Sequence, residues 1–407
     1  MTDNLKEFIS ERLLNDRNQV LEQVRACIRT DNAALVFGAG VSKPAELPAW
    51  TGLISCMMGY AVQRDALKST LLTDTERDSL LRISELLIHK KLELLGNVNP
   101  LESAEYVVQF FEDENLHDLF VTDELRELAV KSMVKKLIDA SLTPEQIIKK
   151  IYALKSPTFL KGVCADLDAG VPTAQAVMGI HPQIASLNTL FAASYLMARD
   201  TNGIRRAITY NYDPLIQEQL LALYGLEPDA IFTHAGKWRG QPASYARELF
   251  HVQGYISGTR HSDVGLENVY PTDSGRIILS EDSYYVLERE EAYNWSSSIQ
   301  STFLNRYHCI FVGFSAEDFN FRRILRQMGQ RQRNDRAHYL ILSVDNLIKA
   351  TYKAAEKARI NGEVLSDEDI VPLIDRLLHC REQSWVRFGI HPIFAIREEI
   401  PDILLSL

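Results

Sequence analysis

Hydrophobic positions change their spacing along the chain, and each change marks a different predicted element. Apolar residues recur every three or four positions from 20 to 28, which predicts a helix with one buried face. The next apolar residues, Ala33–Phe37, form an unbroken run that ends at Gly38, as in a strand buried in a sheet. We therefore predict a helix followed by a buried strand in this part of the chain.

The long stretch between residues 53 and 205 keeps the helical spacing and shows almost no strand pattern. Leu80, Ile83, Leu86 and Leu87 are an example, because residues three and four apart lie on one face of a helix. Strand-like segments return only after this stretch. They lie at 207–210, 249–252, 276–279, 309–312 and 339–344.

The remaining chain alternates between the two patterns. We predict helices at 346–357 and 367–378 and one more strand at 386–390. Strands that alternate with helices predict an α/β fold: a doubly wound, mostly parallel, Rossmann-like sheet with a large inserted helical region. The change of spacing divides the chain into an α/β domain and a helical insertion, at 1–54 with 205–407 and at 55–204.

Charge and cysteine spacing narrow the classes of function. The chain has 44 Lys and Arg against 54 Asp and Glu, a net charge of −10, so direct nucleic-acid binding is not expected. The longest apolar stretch, residues 190–198, is far shorter than the ~20 residues that span a bilayer, so we expect no membrane anchor. The 5 cysteines show neither a CxxC pair nor a zinc-ligand spacing, so we expect no metal. The segment MTDNLKEFIS is acidic rather than basic, so we expect a cytoplasmic protein.

The sharpest local signal is the segment LVFGAGVSKPAELPAW, residues 35–50. Gly38 and Gly40 let the backbone turn tightly after the strand and present N–H groups to an anion such as a phosphate. Lys43 replaces the third glycine of GxGxxG, and no GxxxxGK[ST] is present, so neither the dehydrogenase fingerprint nor a P-loop fits. The alternative interpretation is an ordinary turn between a strand and a helix.

A second group of polar residues follows the predicted strand in the segment AITYNYDPLIQEQL. Asn211 and Asp213 come at its carboxyl end, the edge where doubly wound sheets bind their ligands. The alternative is that Asp213 caps a helix that begins at Pro214. Both interpretations stay open at this point.

Two further strand ends carry polar residues or glycines. The segment LFHVQGYISG contains His251, Gln253 and Gly254, and CIFVGFSAEDF contains Gly313 and Ser315. A single histidine is more often structural than catalytic, and a Gly-x-Ser strand end is usually a turn. Neither segment alone predicts a function.

The order of the four segments carries more information than any one of them. GAGVS, T-x-N-x-D, H-x-x-G and G-F-S, each at a strand end, resemble the sirtuin-like (Sir2-type) family, whose members bind NAD in a fold of this type. The similarity is strongest to prokaryotic sirtuin-like NADases of anti-phage defence, such as those paired with a HerA-type ATPase. It extends to Pro48 and Trp50 and covers residues 33–54, 205–257 and 309–325.

The resemblance implies NAD as substrate and a role for each matching residue. The implied binding residues are Gly38, Ala39, Gly40, Ser42, Trp50, Gly254, Gly313 and Ser315. The turn at 38–42 would hold the diphosphate, and Gly313 and Ser315 would meet the adenosine half. Asn211 and Asp213 would flank the nicotinamide ribose. They form the implied catalytic set together with His251 and Gln253.

The sequence departs from the deacetylase sirtuins in three respects. It lacks their Cys-rich zinc module and their Pro-Asp-Phe-Arg loop, which favours NAD hydrolysis over the removal of acyl groups from lysine. Gln253 also stands where the family's catalytic His would be, and an amide is not a general base at neutral pH. Three interpretations stay open: His251 takes over, the chain binds NAD without cutting it, or the histidine was replaced deliberately.

We therefore predict a sirtuin-like NAD hydrolase of bacterial anti-phage defence, in a form impaired by Gln253, that produces nicotinamide and ADP-ribose. The alternative is a non-catalytic NAD or ADP-ribose sensor that signals through assembly. The resemblance implies a homo-oligomer and a HerA-type ATPase as a separate partner, since the chain has no ATPase motif of its own.

Overall fold

The computed structural model describes the chain in separate ranges. These are 17–42, 58–59, 62–63, 66–67, 70, 72–88, 189–222, 224–256, 265–271, 278, 291–314, 325, 336–357, 359–360, 363–364 and 367–407. Within them, no helix combines the length and the apolar character needed to cross a membrane.

The strands in the described ranges form one large sheet and one small one. They are β1 (Ala33–Phe37), β2 (Arg206–Thr209), β3 (Ile231–Ala235), β4 (Arg247–His251), β5 (His308–Val312), β6 (His338–Ser343), β7 (Arg359–Ile360), β8 (Glu363–Val364) and β9 (Ile390–Ala395). Seven of them form a sheet of order β3-β4-β2-β1-β5-β6-β9, in which every neighbouring pair is parallel. β7 and β8 form a separate antiparallel pair. The fold is therefore a Rossmann-like α/β fold.

Helices cover both faces of the large sheet. The helices of the described ranges are α1 (17–29), α2 (Asp74–Ile88), α3 (Thr189–Ala198), α4 (Leu215–Ala222), α5 (Glu291–Arg306), α6 (Asp345–Lys357), α7 (Asp367–Val386) and α8 (Ile400–Ser406). Of these, α2 belongs to a separate small hydrophobic cluster with Val62 and Ala66. Alternate residues of β1 divide between two hydrophobic clusters, with Leu35 in one and Val36 in the other. The first cluster includes residues of α1, α3, α4 and α8, and the second includes residues of α5. Burial on both faces explains why β1 is an unbroken apolar run.

The order of the strands in the sheet reverses direction at β1, which opens a crevice at the centre of the sheet. β2 lies on one side of β1, whereas β5, which comes after β4 in the chain, lies on the other side. In an open parallel sheet, this reversal of strand order opens a ligand crevice beyond the carboxyl ends of the strands. We therefore expect a ligand-binding site at the carboxyl ends of β4, β2, β1 and β5.

Most of the predicted elements are present in the described ranges, with shifted ends. β1 has the predicted bounds, while β2, β4, β5 and β6 differ from prediction by one or two residues. Helix α6 begins one residue early, and α7 extends eight residues beyond its predicted end. Of the predicted strand 276–279, only Ile278 is described, so this prediction lies almost entirely outside the described residues.

The predicted strand at 386–390 is wrong. Val386 is the last residue of α7, and a turn follows in which Gly389 has φ 73°. The strand itself, β9, occupies Ile390–Ala395. β3 was not predicted, because its sequence IFTHA interrupts the apolar pattern with Thr233 and His234, both of which are buried.

The helical insertion at 55–204 remains a prediction, because most of it lies outside the described residues. Most of its described residues are helical: 58–59, 62–63, 66–67, 74–88 and 189–198. The last of them, α3, places Leu190 and Leu196 in the first hydrophobic cluster of the sheet. This end of the predicted insertion therefore packs on the α/β domain.

Candidate functional site

Four strands end side by side at the carboxyl edge of the sheet. Phe37 of β1 is the partner of Thr209 of β2, and the N–H of Tyr210 donates to the carbonyl oxygen of Phe37 at 2.9 Å. On the far side of β2, His251 is the partner of Thr209. On the far side of β1, Val312 is the partner of Phe37. The loops that follow these strands therefore leave the sheet at one level.

Asn211 is the centre of a hydrogen-bond network that joins two of these loops. Its Nδ2 donates to the carbonyl oxygen of Gly38 at 3.2 Å and to Oγ of Ser42 at 2.9 Å. Ser42 Oγ in turn donates to Oδ2 of Asp213 at 2.8 Å. All three side chains are buried. Because both Nδ2 hydrogens are used, Oδ1 is the atom of this amide left to accept a hydrogen bond from a ligand or a water.

Asp213 uses its two oxygens for two different tasks. Oδ2 accepts from Ser42, while Oδ1 accepts from the N–H of Leu215, at the first turn of α4, at 3.2 Å. The helix cap and the contact with the predicted site are therefore present together. Burial raises the pKa of this carboxyl to about 6, despite the opposing effect of the Ser42 and Leu215 hydrogen bonds, and nearby Glu218 raises it further.

The glycine turn packs directly against the turn after β5. Gly40 N–H donates to the carbonyl oxygen of Gly313 at 2.8 Å, and Gly38 N–H donates to that of Val312 at 2.9 Å. A Cβ atom on Gly40 would lie 2.8 Å from Gly313 O, and one on Gly38 would lie 2.7 Å from the same atom. Gly313 itself has φ 72°. The N–H groups of Gly38 and Gly40, which we predicted to face an anion, therefore bind carbonyl oxygens of the neighbouring turn. Close packing between the two turns already requires these glycines.

His251 is buried, with a partner at each ring nitrogen. Nδ1 lies 3.0 Å from the carbonyl oxygen of Asn211, and Nε2 lies 2.7 Å from Nε2 of Gln217. Tyr255 packs against the ring, with 4.5 Å between ring centroids. Burial lowers the pKa of His251 to about 3, which the bond to Asn211 opposes. A neutral ring held at both nitrogens favours a positioning role over that of a base replacing Gln253.

Gln253 and Gly254 lie in a loop that runs beside the loop of Asn211. Val252 N–H donates to the carbonyl oxygen of Thr209 at 3.2 Å, and Ile256 N–H donates to that of Tyr212 at 2.7 Å. Gln253 is buried between these two attachments, and Gly254 has φ 99°, which favours glycine.

The structure brings most of the predicted site residues to this edge. Ser42, Asn211 and Asp213 are linked directly, and the glycine turn contacts Gly313. Ala39 lies in the same turn and is exposed. Trp50 and Ser315 lie outside the described residues, and the individual roles of all these residues remain predictions.

Sequence reasoning missed Gln217, which contacts His251. Gln217 follows Leu215 and Ile216 in α4, and its side chain is fully buried. The signal that could have found it is a run of three polar residues, Gln-Glu-Gln, inside a short helix next to the T-x-N-x-D segment. As for metals, the described part of the chain holds no group of three or more His, Cys, Asp or Glu side chains able to bind an ion.

Comparison with known proteins agrees with this geometry. The family model of the SIR2-like domain matches residues 205–365. The matched segment includes the loops of Asn211, His251 and Gly313, whereas the glycine turn at 38–42 lies outside it. No curated protein matches the chain. The match supports a Sir2-type family and a function related to NAD, the ligand of SIR2-like domains.

Proposed function

We propose that this chain is a sirtuin-like NAD glycohydrolase that splits NAD into nicotinamide and ADP-ribose. The observation that carries the proposal is the network of Asn211, Ser42 and Asp213 at the ends of β1 and β2. This edge of the sheet, beside the switch point, is where α/β folds bind nucleotides. Two of the three residues also lie within the segment matched by the NAD-binding SIR2-like domain.

The chemistry needs charge stabilisation and a positioned water more than it needs a strong acid. Nicotinamide is a pyridinium in NAD and leaves as a neutral molecule, so the site must stabilise positive charge on the ribose. Asn211 Oδ1 would orient the water or a ribose hydroxyl, since Gly38 and Ser42 hold the other end of the amide. Asp213, ionised above its pKa of about 6, would add negative charge behind Ser42.

Gln253 limits the rate in this proposal. Its amide keeps hydrogen bonds to ribose hydroxyls but cannot accept a proton at neutral pH. Loss of a general base costs roughly 10²- to 10⁴-fold. The chain would therefore bind NAD and turn it over slowly.

Release of nicotinamide from NAD tests the proposal. We expect Gln253→His to raise the rate at least about a hundredfold, and the added change Asn211→Ala to remove that gain. Gln253→Asn is the matched control, because it keeps an amide and adds no imidazole. If the His form, assembled with its partner, releases no nicotinamide, the hydrolase proposal fails.

A second candidate is a non-catalytic NAD or ADP-ribose sensor. It is favoured by His251, whose ring nitrogens both contact the protein, and by the amide at position 253, since neither offers a free base. A sensor would bind NAD by calorimetry and still leave it intact when position 253 is His.

The cellular part of the proposal rests on the motif resemblance alone. It comprises anti-phage defence, a cytoplasmic location, a homo-oligomer and a HerA-type ATPase partner, with no metal requirement. Cells that carry the Gln253→His form and its partner should lose NAD after phage infection. Chelators should change neither folding nor activity, and stoichiometric zinc in the purified protein would contradict that part.

A further inference from the structure

The contacts of His251 extend to a side chain that the proposed reaction does not use. Gln217 of α4 is fully buried, and its Nε2 lies 2.7 Å from His251 Nε2 and 3.4 Å from Oγ1 of Thr233 in β3. Thr233 Oγ1 donates to the carbonyl oxygen of Val269 at 2.8 Å. A row of polar groups therefore runs from β3 through α4 to the loop of Asn211.

The direction of each hydrogen bond in this row follows from its last member. The carbonyl oxygen of Val269 can only accept, so Thr233 spends its hydroxyl hydrogen there and can only accept from Gln217. Gln217 must then present its NH₂ group, whose second hydrogen reaches His251 Nε2. That nitrogen must accept. The ring proton of His251 consequently lies on Nδ1.

The proton on Nδ1 is what connects this row to the candidate site. Nδ1 lies 3.0 Å from the carbonyl oxygen of Asn211, so Nδ1–H donates to it. With the proton on Nε2 instead, a ring lone pair would face the Asn211 oxygen, and two N–H groups would face each other at Gln217. In that tautomer both contacts of the buried ring would be repulsive.

We propose that Gln217 is a positioning residue: by donating to Nε2 of His251 it fixes the ring proton on Nδ1, and the ring then holds the backbone of Asn211. The tautomer follows from the geometry alone. The effect on turnover rests on the proposed function, because it requires Asn211 to act on NAD.

NMR of histidine labelled with ¹⁵N tests the tautomer without any substrate. The His251 signals are assigned by their loss in His251→Gln. At pH 7 we expect one protonated and one unprotonated nitrogen, with the proton on Nδ1. In Gln217→Glu the carboxylate cannot donate, so we expect both nitrogens to be protonated. Gln219→Glu, the same change two positions along α4, is the matched control and should leave the His251 signals unchanged.

Kinetics in the Gln253→His background tests the positioning effect. Gln217→Met removes the donor and should lower kcat about tenfold, whereas Gln217→Glu keeps Nδ1–H on the Asn211 oxygen and should stay within about threefold. A merely structural role predicts the reverse order, because a buried carboxylate disturbs a fold more than methionine does.

The two arms fail separately. A wild-type His251 with its proton on Nε2 overturns the proposal, and so does a Gln217→Glu spectrum like that of the wild type. Should Gln217→Glu not fold, the wild-type spectrum and Gln217→Met still decide. If no form releases nicotinamide, the proposed function fails while the spectra still settle the tautomer.

Discussion

Two buried aspartates, Asp213 and Asp345, each accept hydrogen bonds from a serine hydroxyl and from a backbone N–H, but they connect different parts of the fold. Asp213 accepts from the Ser42 hydroxyl at 2.8 Å and from a backbone N–H, that of Leu215. Asp345 accepts from the Ser343 hydroxyl at 2.6 Å and from the N–H of Arg397 at 2.8 Å. Both are buried, and each lies at or just before the start of a helix.

The difference lies in the distance along the chain and in what comes next. Ser343 is 2 residues from Asp345, whereas Ser42 is 171 residues from Asp213. We call Ser42 and Asp213 the first pair, and Ser343 and Asp345 the second pair. Ser42 also accepts a hydrogen bond from the side chain of Asn211, which extends the first pair toward the crevice. Asp345 joins the start of α6 to the segment after β9 through the N–H of Arg397, whereas Ser42 and Asp213 hold the loops after β1 and β2 at a fixed spacing, which is what a binding site needs.

The largest expected difference between the two regions is catalytic. In the Gln253→His background, Asn211→Ala should lower nicotinamide release at least about a hundredfold and keep NAD affinity within about tenfold. The matched change beside the second pair, the exposed Asn346→Ala, should alter neither. Rate assays and calorimetry check this. Complete loss of NAD binding in Asn211→Ala would make Asn211 a ligand anchor instead.

The pH dependence of the free energy of unfolding should reflect the raised pKa of Asp213. The pKa of Asp213 is about 6 in the folded protein and about 4 when unfolded. Between these values the folded state binds more protons, so this group lowers stability as pH rises from 4 to 6. Between pH 4 and pH 7, the free energy of unfolding of Asp213→Asn should therefore rise by about 3 kcal/mol relative to that of the wild type. Denaturant unfolding at several pH values measures it.

His251 should act with the opposite sign. Its pKa is about 3 when folded and about 6.5 when unfolded, so its stabilisation is lost as pH falls through this range. His251→Gln should therefore flatten the acid side of the profile. If Asp213→Asn and His251→Gln changed the pH dependence of stability in the same direction, either Asp213 or His251 would not be buried as the structure shows.

Substitutions of Gly40 and Gly389 distinguish the effect of a close atomic contact from that of backbone strain. Gly40→Ala would bring Cβ to 2.8 Å from Gly313 O, so we expect it to cost about 2 kcal/mol and to weaken NAD binding. Gly389→Ala, just before β9 at the amino-terminal edge of the sheet, meets nothing closer than 3.8 Å but has φ 73°, so it should cost about 1 kcal/mol and spare NAD binding. Equal NAD affinity in both variants would remove the glycine turn from the site.

The smallest effects come from the two serines. Ser42→Ala and Ser343→Ala should each lower the free energy of unfolding by about 1 to 2 kcal/mol, since Ser42 loses its hydrogen bonds with Asp213 and Asn211 and Ser343 loses the one with Asp345. Only Ser42→Ala should also slow the Gln253→His enzyme, by about tenfold. Similar rates in both would mean that the first pair is only structural.

Several features could be predicted from the sequence because they depend on neighbouring residues. The run Ala33–Phe37 is apolar at every position, as expected for a strand buried on both faces. The polar residues after β2 and β4 could be placed at strand ends, and hence at one edge, since the strands are parallel. The error at 386–390 has the same local origin, because Val386 and Phe388 look like strand residues while Gly389 sets a turn.

Only the tertiary structure decided which of these residues meet. The order of strands brings Ser42 to Asp213 and Gly40 to Gly313, and the packing of α4 on β3 and β4 brings Gln217 to His251. Local sequence sets the periodicity and turn chemistry of each segment, but a hydrogen bond forms only when donor and acceptor lie within about 3.5 Å. That distance between residues far apart in the chain is set by how the strands are ordered and how their helices pack.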